Sequence, residues 1–121
     1  MAINKLNYNK CIGSWENPYK NTRGIQSFDI YQRSDKTYIS ITGKEAGIKP
    51  GSWGESEFTG FAQGPDEQEA SAYQAFFDLG FADALLAINE NKGLLVILAY
   101  ISPKTETGQS NYFIREFYYK K

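Results

Sequence analysis

The chain of 121 residues contains no histidine and a single cysteine, Cys11. Histidine is the usual general base and the commonest metal ligand in proteins. Its absence excludes a Ser-His or Cys-His nucleophile and any zinc site that needs histidine, and one thiol cannot supply a cysteine-only zinc site. No EF-hand loop is present in the sequence either. We therefore expect a protein that is not an enzyme and that has neither a cofactor nor a metal site, and a hard-cation site built from carboxylates is the alternative that stays open.

An excess of charge of one sign is also absent. The 13 basic and 14 acidic residues give a formal net charge of -1, so no strong field attracts a nucleic acid backbone or an anionic lipid surface. The longest apolar segment, 93–101, is far shorter than the roughly 20 residues of a membrane-spanning helix. The start of the chain lacks the apolar run of an export signal, and a lone cysteine forms no internal disulfide. These observations predict a cytoplasmic protein that binds neither nucleic acid nor membrane.

Aromatic residues, in contrast, are abundant. The chain has nine Tyr, eight Phe and two Trp, which suit pleated, half-buried surfaces. Apolar residues recur mostly at every second position, the pattern of strands with one face towards water. Phe28 and Ile30 alternate with polar neighbours, and Ile39 and Ile41 do the same further on. The short polar segment between the two runs predicts a β-hairpin over 25–42.

Most of the remaining chain is divided by turn signals into further short segments. The other predicted elements are a first strand at about 12–17, a long Gly-rich loop at 43–55, a strand at 57–63 and final strands at 81–89, 94–102 and 111–119. Because strand 94–102 is almost wholly apolar, we predict that it is the most buried. No linker or internal repeat is evident, so residues 1–121 are predicted to form a single domain.

Residues 66–79 fit two interpretations. An acidic start followed by good helix formers resembles a helix N-terminus, and Ala70, Tyr73 and Phe77 have helical spacing. Tyr73 and Phe77 also alternate with their neighbours as residues of a strand do. We predict a strand here, and a short helix near 66–74 is the alternative that stays open.

Together these elements describe an all-β protein with about eight short strands joined by tight turns. Strands that are adjacent in sequence normally pair in space, and closing the sheet removes exposed edges. We therefore predict an antiparallel up-and-down barrel of the calycin-like type. The interior of a barrel with about eight strands is either filled with side chains or holds one small ligand.

The Gly-Ser-Trp sequence at 13–15, together with Arg115 in the last predicted strand, resembles a signature of the calycin superfamily, which includes lipocalins, fatty-acid-binding proteins and avidins. The resemblance implies that Trp15 plugs the closed end of the barrel and that the Arg115 guanidinium lies across the indole ring. Gly13, Trp15 and Arg115 are then structural residues that close the barrel. The longer segments WENPYKNTRGI, SWG and SNYFIREFYYK are similar to a group of small uncharacterised bacterial domains with this fold.

Four side chains are candidates for ligand contact. Trp53 lies in the predicted Gly-rich loop, where no core residue is expected, although it also suits packing over the sheet. Asn17 has the offset from the tryptophan that the avidin resemblance assigns to a ligand-binding asparagine, and a role in the turn after the first strand is its alternative. Tyr73 and Asp83 supply polar groups that orient a ligand in an otherwise apolar site.

Tyrosines predicted to be partly exposed form a second candidate surface. Tyr38 is the member that we also predict to contact a ligand, and the others are Tyr31, Tyr100, Tyr112 and Tyr118. Exposed tyrosines are typical of recognition surfaces and also of ordinary sheet surfaces.

The sequence therefore predicts a lipocalin-like protein that binds a small apolar or aromatic molecule at the open end of a barrel. The alternative is a non-enzymatic module for protein–protein contact, self-association or sugar binding, acting through exposed Tyr and Trp side chains. A homo-oligomer is compatible with either function.

Overall fold

The structure is a computed structural model that describes residues 6–44, 47–104 and 108–121. Every regular element in these ranges is a β-strand. The nine strands are β1 (Gly13–Glu16), β2 (Ile25–Arg33), β3 (Lys36–Gly43), β4 (Gly51–Glu57), β5 (Thr59–Phe61), β6 (Ala72–Asp78), β7 (Ala82–Asn91), β8 (Leu94–Pro103) and β9 (Tyr112–Lys120). The described residues include no helix long and apolar enough to span a membrane.

The strands form one antiparallel sheet in the order β4-β3-β2-β1-β9-β8-β7-β6-β5. Its two outermost strands, β4 and β5, belong to one segment that is interrupted at Phe58 alone. This segment pairs with β3 through β4 and with β6 through β5, so it spans the gap between the sheet edges. The Phe58 N–H donates to the Thr37 carbonyl at 2.8 Å. The result is a nearly closed up-and-down barrel, compatible with the calycin-like fold predicted from the sequence, with nine strands rather than about eight.

Two tight hairpins fix the strand register. Ser34 and Asp35, with φ of 53° and 69°, connect β2 to β3. Lys92 and Gly93, with φ of 54° and 84°, connect β7 to β8. Positive φ at both central residues is the geometry that suits the right-handed twist of paired strands. The predicted hairpin over 25–42 is therefore confirmed, and the strands predicted at 81–89 and 94–102 pair with each other as β7 and β8.

The prediction that 43–55 is a long loop is wrong for its second half, because residues 51–57 form β4. Gly51 and Gly54 have φ of 74° and 88°, and the register of β4 against β3 shifts beside them. Such a bulge breaks the alternation that identifies a strand in the sequence. Residues 45 and 46 of the predicted loop lie outside the described residues.

The ambiguous segment 66–79 resolves as irregular chain followed by β6, and the alternative helix near 66–74 is wrong. Tyr73, Ala75 and Phe77 are buried while the positions between them are exposed or half-buried. The period of two therefore places three apolar side chains in the core. The preceding chain is held by a bridge between Asn7 and Glu69 rather than by helical hydrogen bonds.

The prediction that the apolar strand 94–102 is the most buried is also wrong. Burial alternates along β8, with Leu95 and Ile97 inside the barrel and Leu94 and Tyr100 41% and 44% exposed. A barrel strand has one face towards the interior and the other towards the surroundings, whatever its sequence. Half of the apolar residues of β8 therefore lie on the outer surface.

Residues 6–12 cover one end of the barrel, here termed the plugged end. Tyr8 packs against the Phe58 and Tyr73 rings, with centroids 6.5 and 6.1 Å away, and Cys11 is completely buried. The opposite end, at which β1, β3, β6 and β8 finish, is termed the mouth. The interior between the two ends is filled; its largest fully buried side chains include Trp15, Phe28, Phe58, Tyr73 and Tyr118.

Candidate functional site at the barrel mouth

Trp53 is a buried residue of β4 and not the loop side chain that its sequence context predicts. It is 6% exposed, and its ring meets the Phe77 ring edge-on at 5.8 Å. Its indole N–H donates to the Lys49 carbonyl at 3.0 Å. Trp53 therefore anchors the chain that leads into β4 at the mouth and presents no face to a ligand.

Asn17 is also buried near the mouth, with 4% of its surface exposed. Its amide nitrogen donates to the Ile25 carbonyl at 3.2 Å, and its amide oxygen accepts from the Tyr19 N–H at 2.8 Å. The side chain thus bonds to the backbone of the connection between β1 and β2 at Tyr19 and to the first residue of β2 at Ile25. The structure places Asn17 in a turn-stabilising position.

None of the other three predicted contact residues lines the mouth groove described below. Tyr73 is buried at the plugged end, where its hydroxyl donates to the Ala70 carbonyl at 2.9 Å and burial raises the pKa of the phenol. Tyr38 lies on the outside of β3 beneath the Arg33 guanidinium, 4.5 Å from its ring centroid. Asp83 lies on the outside of β7. The five predicted residues do not form one site.

Arg115 lies on the outer surface, with its guanidinium 5.1 Å from the Phe117 ring centroid. The predicted stacking of Arg115 on Trp15 is wrong, because the odd-numbered positions of β9 face away from the barrel interior. The cation over the Trp15 ring is Lys120, at 5.9 Å. Trp15 itself is buried, and its indole N–H donates to the Cys11 carbonyl at 2.8 Å. Gly13 opens β1 two residues earlier.

The predicted partial exposure of the tyrosines is confirmed for Tyr100 and Tyr112, which are 44% and 41% exposed, and for the half-buried Tyr31 and Tyr38. For Tyr118 the prediction is wrong. Its side chain is 1% exposed and its hydroxyl donates to the Ile25 carbonyl at 3.0 Å. Tyr118 occupies an inward position of β9, so burial raises the pKa of its phenol.

A groove of about 690 Å³ lies at the mouth. This volume falls within the range of about 300–1,000 Å³ that is typical of small-molecule sites. Phe81, in the connection between β6 and β7, and Tyr112, at the start of β9, are 43% and 41% exposed. With the half-buried Ile48 and Ile114 they give the groove apolar walls.

Arg23 is the one charged side chain among the described residues that line this groove. Its guanidinium has neither an ion-pair nor a hydrogen-bond partner within the ranges that the structure describes, unlike Arg33, which pairs with Glu55. A guanidinium presents five N–H donors in a planar fork that matches a carboxylate. The groove therefore combines apolar walls with one cation that is available to a ligand.

Under the groove, the side chains of Thr22 and Glu116 hold the connection between β1 and β2, which carries Arg23, onto β9. The Thr22 hydroxyl lies 2.6 Å from both carboxylate oxygens of Glu116, and the Gly24 N–H donates to the Thr22 oxygen at 3.0 Å. A Cβ on Gly24 would lie 2.8 Å from a Glu116 oxygen, so a larger residue would displace the Glu116 carboxylate. The backbone that carries Arg23 is thus fixed before any ligand binds.

The wall of the groove that contains Ile48 is also held to the connection between β1 and β2, which carries Arg23. The Ile48 N–H donates to the Arg23 carbonyl at 2.7 Å. A Cβ on Gly47 would lie 2.5 Å from that carbonyl oxygen, so glycine permits the close approach of the two segments. Beneath the groove a cavity of about 10 Å³ is bordered by Ile97 and Tyr118, at most the space of one water molecule. A ligand would therefore lie over the mouth and not inside the barrel.

Sequence reasoning does not identify Arg23 and Phe81 as site residues, and it names Tyr112 only as an exposed tyrosine. Both missed residues lie in connections between strands, where no periodic pattern marks a functional position. Their proximity depends on the pairing of β1 with β9, which brings distant parts of the chain to one end of the barrel. No local sequence signal carries that information.

No group of three acidic or cysteine side chains in the described ranges is arranged to hold a metal ion. Comparisons with protein-family models, with curated proteins and with solved structures find no match for the chain. The function of the candidate site is therefore inferred from its geometry alone.

Proposed function

We propose that this protein binds a small organic anion with an apolar or aromatic body in the groove at the barrel mouth. The observation that carries the proposal is the position of the Arg23 guanidinium, which has no ion-pair or hydrogen-bond partner among the described residues, between the apolar walls formed by Phe81, Tyr112 and Ile48. The protein is then a non-enzymatic binding protein. Its likeness to calycins would lie in the barrel and in binding at the open end.

The filled interior supports a ligand that is smaller and more exposed than one enclosed in a deep barrel pocket. Burial of its apolar part against the walls contributes about 25 cal/mol per Å² of apolar surface. The anionic group accepts hydrogen bonds from Arg23, and a hydrogen bond to a charged group contributes about 1.5–3 kcal/mol. The apolar walls thus supply affinity, and Arg23 supplies orientation and a preference for anions.

Binding of 4-phenylbutyrate, compared with the uncharged 4-phenylbutan-1-ol, tests the proposal. Titration of the ¹⁵N-labelled protein followed by NMR locates the site and gives the affinity. We expect 4-phenylbutyrate to shift the amide signals of Arg23, Ile48, Phe81 and Tyr112. We expect the alcohol to bind roughly 10-fold or more weakly, since it cannot replace the charge-assisted hydrogen bonds.

The variant Arg23→Gln removes the cation and keeps a shorter, uncharged polar side chain. It should lower the affinity for the carboxylate to that for the alcohol. Arg115→Gln removes an exposed cation from the outer surface, away from the groove, and is the matched control that should bind like the wild type. Equal binding of acid and alcohol, or shifts confined to residues away from the mouth, would overturn the proposal.

A further inference from the structure

The outer surface of four neighbouring strands, β6 to β9, is unusually apolar. We call it the aromatic face and define it by seven residues that point away from the barrel interior. They are Phe76, Leu85, Val96, Leu98, Tyr100, Phe113 and Phe117. None of them takes part in the mouth groove, so the face needs a separate explanation.

The strand register places four of these side chains in one continuous row. Phe76 is paired with Leu85, Leu85 with Tyr100, and Tyr100 with Phe113. Directly paired residues on one face of a sheet are in contact range, and the Tyr100 and Phe113 ring centroids are 6.4 Å apart. The row therefore crosses all four strands without a polar interruption.

Two further pairs extend the face along the strands. Leu98 is paired with Arg115, and Val96 with Phe117. The Arg115 guanidinium lies over the Phe117 ring, so its stem covers apolar surface while its charge stays accessible. Polar residues, among them Asp78 and Asp83, lie beyond the row towards the mouth. The face is thus an apolar centre with a polar border, the usual anatomy of a protein interface.

The exposed area of the face suits an interface. Phe76, Leu85, Tyr100, Phe113 and Phe117 are between 43% and 63% exposed. At roughly 200 Å² for a large side chain, these five alone leave about 500 Å² of apolar surface in contact with water. Monomeric proteins rarely expose a contiguous apolar patch of more than a few hundred Å². A protein interface of standard size buries about 800 Å² on each partner, and the aromatic face supplies more than half of this area.

We propose that the occupant of the aromatic face is the same face of a second copy of this chain. In a two-fold pair with the axis along the strands, β6 of one copy lies opposite β9 of the other, and β7 lies opposite β8. Phe76 then meets the partner's Phe113, and Leu85 meets the partner's Tyr100. Every member of the apolar row has an apolar counterpart, as an isologous dimer requires.

The sizes of the side chains also fit two convex surfaces. Two barrels touch most closely along their central strands and diverge towards the flanks. Three of the four aromatic members of the face, Phe76, Phe113 and Phe117, belong to the flanking strands β6 and β9, where the gap is wide, and the fourth, Tyr100, belongs to central β8. The net charge of -1 means that two copies repel each other only weakly.

Sedimentation velocity with the full-length protein tests the proposal. The wild type should sediment as a dimer of twice 13.7 kDa at micromolar concentration. Leu85→Glu introduces a charge at the centre of the row, once in each copy, and should raise the dimer dissociation constant roughly 100-fold or more. Thr42→Glu introduces the same charge on an exposed position of β3, on the opposite side of the barrel, and should remain dimeric.

Circular dichroism checks that both variants retain the β-sheet signal of the wild type. If Leu85→Glu fails to fold, Phe113→Lys, at the most exposed position of the row, takes its place. A monomeric wild type would overturn the proposal and leave the face for a different partner. Dimers that persist in Leu85→Glu or in Phe113→Lys would place the interface elsewhere and would also overturn it.

Discussion

The ammonium group of Lys120 lies 5.9 Å from the centroid of the Trp15 ring. The two residues are directly paired between β9 and β1. The lysine stem passes over Gly13, where a Cβ would lie only 2.6 Å from the Lys120 Cε. A glycine two residues before the tryptophan therefore leaves room for a cation from the last strand, and in this chain the cation is Lys120, the last residue of β9.

We expect Gly13→Ala to lower the free energy of unfolding by about 1–3 kcal/mol. Gly13 has φ of 137°, a conformation that is strained for alanine, and the added methyl would displace the Lys120 side chain. Urea unfolding followed by tryptophan fluorescence measures the change. Gly64→Ala is the control, because Gly64 has no atom within 4 Å of an added Cβ. Similar losses in the two variants would show that the contact with Lys120 and the backbone conformation are unimportant.

The carboxylate of Glu55 should titrate below its ordinary pKa. Hydrogen bonds from the Arg33 guanidinium, at 2.8 and 3.1 Å, and from the Tyr31 hydroxyl hold the pKa of Glu55 below 4.5. A pKa that is lower in the folded state means that these bonds stabilise the fold above pH 4.5. The contribution is lost as the pH falls through the folded pKa.

NMR titration of the Glu55 carboxyl carbon measures this pKa directly. Arg33→Gln should raise the titration midpoint towards 4.5, since it removes the largest cause of the shift. Lys36→Gln is the control, because Lys36 pairs with Glu57 and not with Glu55. A midpoint at or above 4.5 in the wild type would contradict the geometry of this cluster.

The thiol of Cys11 should be unreactive in the native protein. Cys11 is completely buried beneath the plugged end, its Sγ–H donates to the Tyr8 carbonyl at 3.3 Å, and burial raises its pKa from 9.0 to about 11. Because the thiolate is the reactive form, we expect negligible labelling by 5,5′-dithiobis(2-nitrobenzoate) at pH 8.

The Cys11 thiol also makes the stability of the fold depend on pH in the alkaline range. Its raised pKa stabilises the fold below pH 9, and this contribution is lost as the pH rises towards about 11. Since the chain has one cysteine, addition of urea beyond the unfolding midpoint should release one reactive thiol. Rapid labelling without urea would show that residues 6–12 do not cover this end of the barrel.

The elements that sequence reasoning recovers are those that a local pattern determines. Alternation identifies Phe28, Ile30, Ile39 and Ile41 as inward residues of paired strands, and all four are buried. The pattern fails at β4, where Gly51 and Gly54 permit a bulge in place of strict alternation. It also fails along β8, because a run of apolar residues does not reveal which of its members face outward.

Composition and periodicity by themselves determined the all-β class, the two tight hairpins and the absence of histidine-dependent chemistry. Only the tertiary structure decided that the interior is filled, that Lys120 lies over Trp15, and that Arg23, Phe81 and Tyr112 line one groove at the mouth. Periodicity is a local property of the chain, whereas these contacts join segments that closure of the barrel brings together. The outward placement of the aromatic face has the same origin, since closure assigns one side of each strand to the exterior.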